Sequence, residues 1–160
     1  MNAKPIKEIL SDYLQKKSLN EINIINSYRD ALDIDFSKVD IDYINIVSAG
    51  NDCVDLSFGI YKINEANIRD CGDKAVSVGE QSELTIKNLN VLNSITGIAS
   101  KDSSKTKLEN GYFKDLNICL AAYNKKQEFL GGLIKINNFV CLNTPKKIFV
   151  DDVSTINFNN

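Results

Sequence analysis

Residues 32–78 read LDIDFSKVDIDYINIVSAGNDCVDLSFGIYKINEANIRDCGDKAVSV. Three short runs in this stretch alternate apolar and polar residues: Leu32-Asp33-Ile34, Val54-Asp55-Leu56 and Val76-Ser77-Val78. Each begins 22 residues after the one before it. Alternation with period two marks a strand with one buried face. Recurrence at a long fixed period marks a stack of equivalent units.

The rhythm continues on both sides of this stretch. One apolar series runs Leu19, Ile41, Ile63, Ile86, Leu108, Ile136, Phe158, with steps of 22, 22, 23, 22, 28 and 22. A second runs Leu32, Val54, Val76, Ile98, Leu120, Ile148, and a third Ile24, Ile46, Ile68, Val91, Phe113, Cys141. The steps of 28 in the first two series fall across one insertion of six residues between Ala122 and Ile134. Equivalent strands recurring once per coil pair in parallel, with the rest of the coil as the crossover. A period near 22 accommodates three short strands per turn. The expected fold is therefore all-β, a right-handed parallel β-helix of about six 22-residue coils.

Polar columns keep the same register. Asn23, Asn45, Asn67 and Asn90 share one position, and Asn26, Ser48, Asp70, Asn93, Asp115 and Asn143 another. Stacked Asn side chains can bond along a ladder, and Asn, Asp and Ser satisfy backbone groups at turns. Both columns read as structural. In residues 5–16, Pro5 precedes an apolar stripe of Ile6, Ile9, Leu10, Tyr13 and Leu14 at helical spacing. Residues 1–17 are thus expected to form an N-terminal capping helix over a β-helix spanning 18–160. At the other end a seventh coil starts at Phe158 without a following cap, so the expectation is a module of a larger protein. Self-association through that open coil is an alternative.

Composition narrows the functional classes. The 160 residues are 43% apolar and 25% charged, with a net charge of -2. That balance offers no broad attraction to nucleic acid, and no apolar stretch is long enough for a membrane span. Histidine is absent, which removes the commonest general base and triads of the Ser-His type. Cys53, Cys71, Cys119 and Cys141 show no CxxC spacing. Cys53 and Cys119 share a column but stand three coils, about 14 Å, apart, beyond disulfide reach. Free, semi-buried thiols are expected, which are compatible with a cytoplasmic location.

Two regions can carry chemistry. Outward columns are expected to read Asp33, Asp55, Ser77, Ala99, Ala121 and Asp35, Ser57, Gly79, Lys101, Tyr123, flanked by Lys74, Glu80 and Asp102. Asp33 and Asp55 then lie one coil apart, about 4.8 Å, close enough to shift a pKa or hold a calcium ion. The same residues also read as a solvated face, Asp52 standing beside Lys74. The insertion, Tyr123 to Gly132, breaks the regular coil. Its Tyr123, Lys125, Lys126, Gln127, Glu128 and Phe129 offer polar and aromatic groups, and insertions in solenoids often line the binding face.

Four segments, DALDIDFS (30–37), NDCVDLSFG (51–59), CGDKAVSVGE (71–80) and TGIASKDSS (96–104), resemble the coils of right-handed parallel β-helix repeat proteins of the pectate-lyase-like superfamily. The resemblance spans roughly residues 19–158. It implies a bacterial envelope or surface location, in which such coils often form the C-terminal part of larger proteins. It also implies polysaccharide as ligand. For a calcium-dependent polysaccharide lyase, Asp33, Asp35 and Asp55 would hold the cation and the sugar acid. The arginine base of that group has no counterpart beside them, since Arg29 and Arg69 fall in turns. Lys101 or Lys74 would then abstract the proton, which requires a lowered lysine pKa. The contrasting expectation is a non-catalytic module, a rigid spacer or carbohydrate-binding face with no required cofactor.

Overall fold

The computed structural model describes residues 17–159. Those residues form ten strands: β1 (Lys17–Ser27), β2 (Leu32–Asp35), β3 (Lys38–Ala49), β4 (Val54–Ser57), β5 (Ile60–Val78), β6 (Glu83–Lys101), β7 (Lys105–Tyr123), β8 (Leu133–Leu142), β9 (Lys146–Val150) and β10 (Thr155–Phe158). Every pairing is parallel. The chain is a parallel β-solenoid of about six coils, and the described residues contain no helix. The expected capping helix lies outside the described residues, except that Lys17, its last residue, begins β1.

The pairing register follows the periodic series. Leu19 pairs with Ile41, Ile41 with Ile63, Ile63 with Ile86, Ile86 with Leu108, Leu108 with Ile136 and Ile136 with Phe158. The second series pairs from Leu32 to Ile148 and the third from Ile24 to Cys141. Side chains of all three series build one continuous apolar core in the middle coils, while Leu19 and Phe158 in the end coils stay exposed. Fully buried Ile41, Ile86, Leu108, Ile98, Leu120 and Phe113 are drawn from these columns.

Each coil turns at corners that the sequence marks. All six members of the Asn/Ser/Asp column sit in the left-handed region, with φ between 49° at Asn143 and 67° at Ser48. Asn and Asp tolerate that conformation best among non-glycine residues. They also bond down the stack, Asn93 Nδ2 to Asp70 Oδ1 at 2.6 Å and Asn143 Nδ2 to Asp115 Oδ1 at 3.0 Å. The column therefore makes the chain turn as well as linking coil to coil.

The cysteine expectation is corrected. Cys53 is bonded to Cys71 and Cys119 to Cys141, leaving no free thiol. Cys53 and Cys119 do not pair with each other, as their three-coil separation requires. Each instead meets a cysteine of a different column, 18 and 22 residues further on. One turn of the solenoid brings that column across the interior, with Cα atoms 5.6 and 6.3 Å apart. No helix of the described residues is long and apolar enough to cross a membrane.

Candidate functional site

The face built by β2, β4, β9 and the ends of β5–β7 carries most of the charged candidates. Asp33 pairs in register with Asp55, and Asp55 with Ser77. Asp33 and Asp35 are exposed and Asp55 is half-buried. Partial burial raises the Asp33 pKa, with further upward pressure from Asp35, Asp55 and Asp30. Like charges thus gather here, but among the described residues no three acidic groups meet in a metal-binding arrangement.

Further down, the face closes. Ser77, Ala99 and Ala121 were expected to point to solvent, yet they are buried. Ala99 and Ala121 nevertheless stand outside the core cluster. Lys101, only 6% exposed, lies over Gly79 and donates from Nζ to Ser77 Oγ at 2.8 Å. A Cβ at Gly79 would stand 3.3 Å from the lysine Cε, so the missing side chain leaves room for the aliphatic stem. Lys74 is clamped on its other side. It pairs with Asp73 and reaches Asp52 Oδ1 at 3.5 Å, while its backbone amide donates to the same Asp52 oxygen at 2.9 Å. Burial pulls the Lys74 pKa down, but Asp73 and Asp52 outweigh it and the net shift is upward. A proton-abstracting lysine needs the opposite shift.

Asp102 was expected to flank this face. It is fully buried instead, and its Oδ1 accepts the backbone amides of Lys125 at 2.7 Å and Lys126 at 2.8 Å. It therefore anchors the insertion. Asn124 donates from its amide nitrogen to Asp151 Oδ2 at 2.7 Å, and its side chain donates to the carbonyl of Phe129 at 2.7 Å. Leu130 N donates to Ser103 Oγ at 2.8 Å. Tyr123 packs its ring 6.0 Å from Phe149, while Lys125 and Glu128 stay exposed. The insertion is an ordered strap.

Glu80 clasps the strap to the coil. Its Oε1 pairs with Lys126 Nζ and its Oε2 accepts from Ser57 Oγ at 2.7 Å. Burial pushes the Glu80 pKa up, but Lys126 and Ser57 outweigh it and the carboxyl ends below its usual range. A lowered carboxyl pKa means stabilisation present above the unfolded value and lost as pH falls through the folded one. Acidification below the ordinary glutamate range is thus expected to speed proteolysis within residues 124–132. Glu80→Gln should give the fast rate already at neutral pH and flatten the acid dependence. An unchanged rate profile in that variant would remove the clasp.

One feature was missed from the sequence. Phe36 and Phe58 occupy the corner between β2 and β3 and between β4 and β5, at φ of 48° and 50°. Bulky residues rarely adopt that region, and the strain is of order 1–3 kcal/mol each. The rings are stacked, 4.8 Å apart and 2° from parallel, and Phe129 of the strap meets Phe58 edge-on at 6.2 Å. Phe36 is 66% exposed and Phe58 37%. Tyr61 holds this corner from inside. Its buried hydroxyl lies 2.8 Å from the Ile34 carbonyl and 2.9 Å from that of Ser57, and burial foremost pushes its pKa up to about 12. The signal for the pair was the 22-residue spacing itself, read for aliphatic columns but not for exposed aromatic ones.

The corner therefore joins a solvent-facing aromatic platform to Asp35, Asp33, Ser57, Glu80 and Lys126. No protein family model matches the chain, and no curated protein or solved structure matches it.

Proposed function

We propose that this chain is a non-catalytic β-solenoid module of a bacterial envelope-associated protein, both a rigid spacer and a carbohydrate-binding face. The observation that carries the proposal is the Phe36–Phe58 stack, strained and exposed at an ordered corner beside exposed carboxylates. Exposed aromatic faces cost hydration and left-handed phenylalanines cost strain, so their retention suits a flat ligand such as a pyranose ring. Asp33 and Asp35 would accept hydrogen bonds from its hydroxyls, and Lys126 of the strap would donate.

Two further features support the proposal. The lysines that a lyase would need are engaged within the protein: Lys101 on Ser77, and Lys74 between Asp52 and Asp73. The two disulfides suit an oxidising, extracytoplasmic setting, which replaces the cytoplasmic compatibility inferred from free thiols.

Affinity electrophoresis against a panel of polysaccharides tests this. Phe36→Asn should weaken retention by at least about fivefold, the equivalent of ~1 kcal/mol of lost stacking. The same variant should lose no stability, since Asn accepts the left-handed corner. Absence of retention across the panel would sink the binding claim, and unsaturated products from uronate polymers would sink the non-catalytic one.

A further inference from the structure

A second face carries a groove of about 350 Å³ that crosses β5 to β8. Its walls are two outward columns separated by one inward residue. Asn88, Asn110 and Asn138 pair in succession on one wall, and Asn67, Asn90 and Tyr112 on the other. Between them Ala66 and Leu89 turn inward and are buried, so the floor is backbone. Gly111 holds the same inward position, where a Cβ would stand 2.6 Å from the Phe113 ring and 2.8 Å from Leu108 in the core.

The amides are held in place by one another. Asn110 donates to Asn88 Oδ1 at 3.0 Å and Asn138 to Asn110 Oδ1 at 2.8 Å. On the other wall Asn90 donates to Asn67 Oδ1 at 3.3 Å, and Asn67 donates across to Glu65 Oε1, in the Asn88 column, at 3.0 Å. Asn67 and Asn110 spend both N–H donors, on Glu65 and the Tyr43 hydroxyl and on Asn88 and the Lys87 carbonyl, while their oxygens and the other amides of the ladder keep unused lone pairs or donors. The remaining valences meet a ligand from fixed positions, which lowers the entropy lost on binding.

From this arrangement we infer a second binding site, for a neutral linear glycan lying along the groove. No lysine or arginine lines it, and Glu65 is its one charge. Anionic chains, uronates and nucleic acids included, find no counter-charge there. Hydroxyl groups both donate and accept, as the amides do. Tyr112, 38% exposed, offers a ring to a sugar face at the apolar end, beside Val140. An extended peptide repeats every ~6.8 Å, out of step with rungs about 4.8 Å apart. The four coils span about 14 Å, the reach of a short oligosaccharide. The site lies apart from the aromatic corner and prefers uncharged sugars, unlike the uronates implied by the resemblance above.

Calorimetry on the whole chain tests the inference, with neutral linear gluco-, manno- and xylo-oligosaccharides and matching oligouronates as probes. At least one neutral series should bind. Asn90→Ala and Tyr112→Ala, both at exposed side chains, should each weaken it at least about tenfold. Phe36→Asn should leave it unchanged. No neutral binding at millimolar concentration, or binding indifferent to both groove variants, overturns the inference. Binding lost with Phe36→Asn alone would overturn it and leave the corner proposal standing. Binding lost only with the groove variants would uphold it, and the corner is then judged separately by the polysaccharide panel.

Discussion

Replacing Cys53 and Cys71 by alanine is expected to cost about 3 kcal/mol of stability, and replacing Cys119 and Cys141 about as much again. The loops they close are 18 and 22 residues long, each close to one turn of the solenoid. In the chain-entropy account each crosslink removes the freedom of one unfolded coil. A solenoid gains more from this than its contact density suggests, because each coil touches only its neighbours. The two bonds join different coils, so their losses should add within a few tenths of a kcal/mol. Urea unfolding of the two double-alanine variants and of the combined variant measures this. A combined loss near 1 kcal/mol would show that the coils hold without their crosslinks. Thiol titration of the denatured, unreduced chain should meanwhile find no free cysteine.

Phe113→Ala should cost about 3–5 kcal/mol, the penalty of an emptied aromatic site in a packed core. Phe113 is fully buried, and its ring stands 5.8 Å from that of Phe139. Two glycines make room for it. A Cβ at Gly97 would meet Phe113 Cδ1 at 2.5 Å, and one at Gly111 would meet Cε2 at 2.6 Å. Overpacking at either position should cost about 1–3 kcal/mol. The two then part company when the ring is shortened. Gly111→Ala meets only the side chains of Phe113 and Leu108, so Phe113→Leu should relieve most of its penalty. Gly97→Ala also meets the Cys119 carbonyl at 2.5 Å, which no change at Phe113 can move. Denaturant midpoints of the three single and two double variants would show this difference. Equal relief at both glycines would contradict the packing.

Much of the solenoid was legible because its constraint is periodic. Leu32, Val54, Val76, Ile98, Leu120 and Ile148 must face one core in successive coils, and a one-residue slip would turn each of them to solvent. The pairings obey that register through the 28-residue step at the insertion. The site was less legible, because side-chain reach is not periodic. Lys101 was placed in an outward column, as its alternation requires. Its fate was decided by Gly79 beside it and Ser77 diagonally above, which let the stem lie flat and the ammonium bury. Asp102 was placed on the same face, but the strap folded over it and used its carboxylate for backbone amides.

By itself the sequence determined the coil length, the number of coils, the register of three apolar columns and the corners marked by Asn, Ser and Asp. Each follows from the same residue type recurring at the same position, and that information is local. Only the tertiary structure decided which cysteines bond, which charges are buried and which aromatic rings stand free. Cys53 and Cys71 belong to different columns, and so do Cys119 and Cys141. Their meetings depend on how one coil lies across the next, a distance through space to which the 22-residue period is blind.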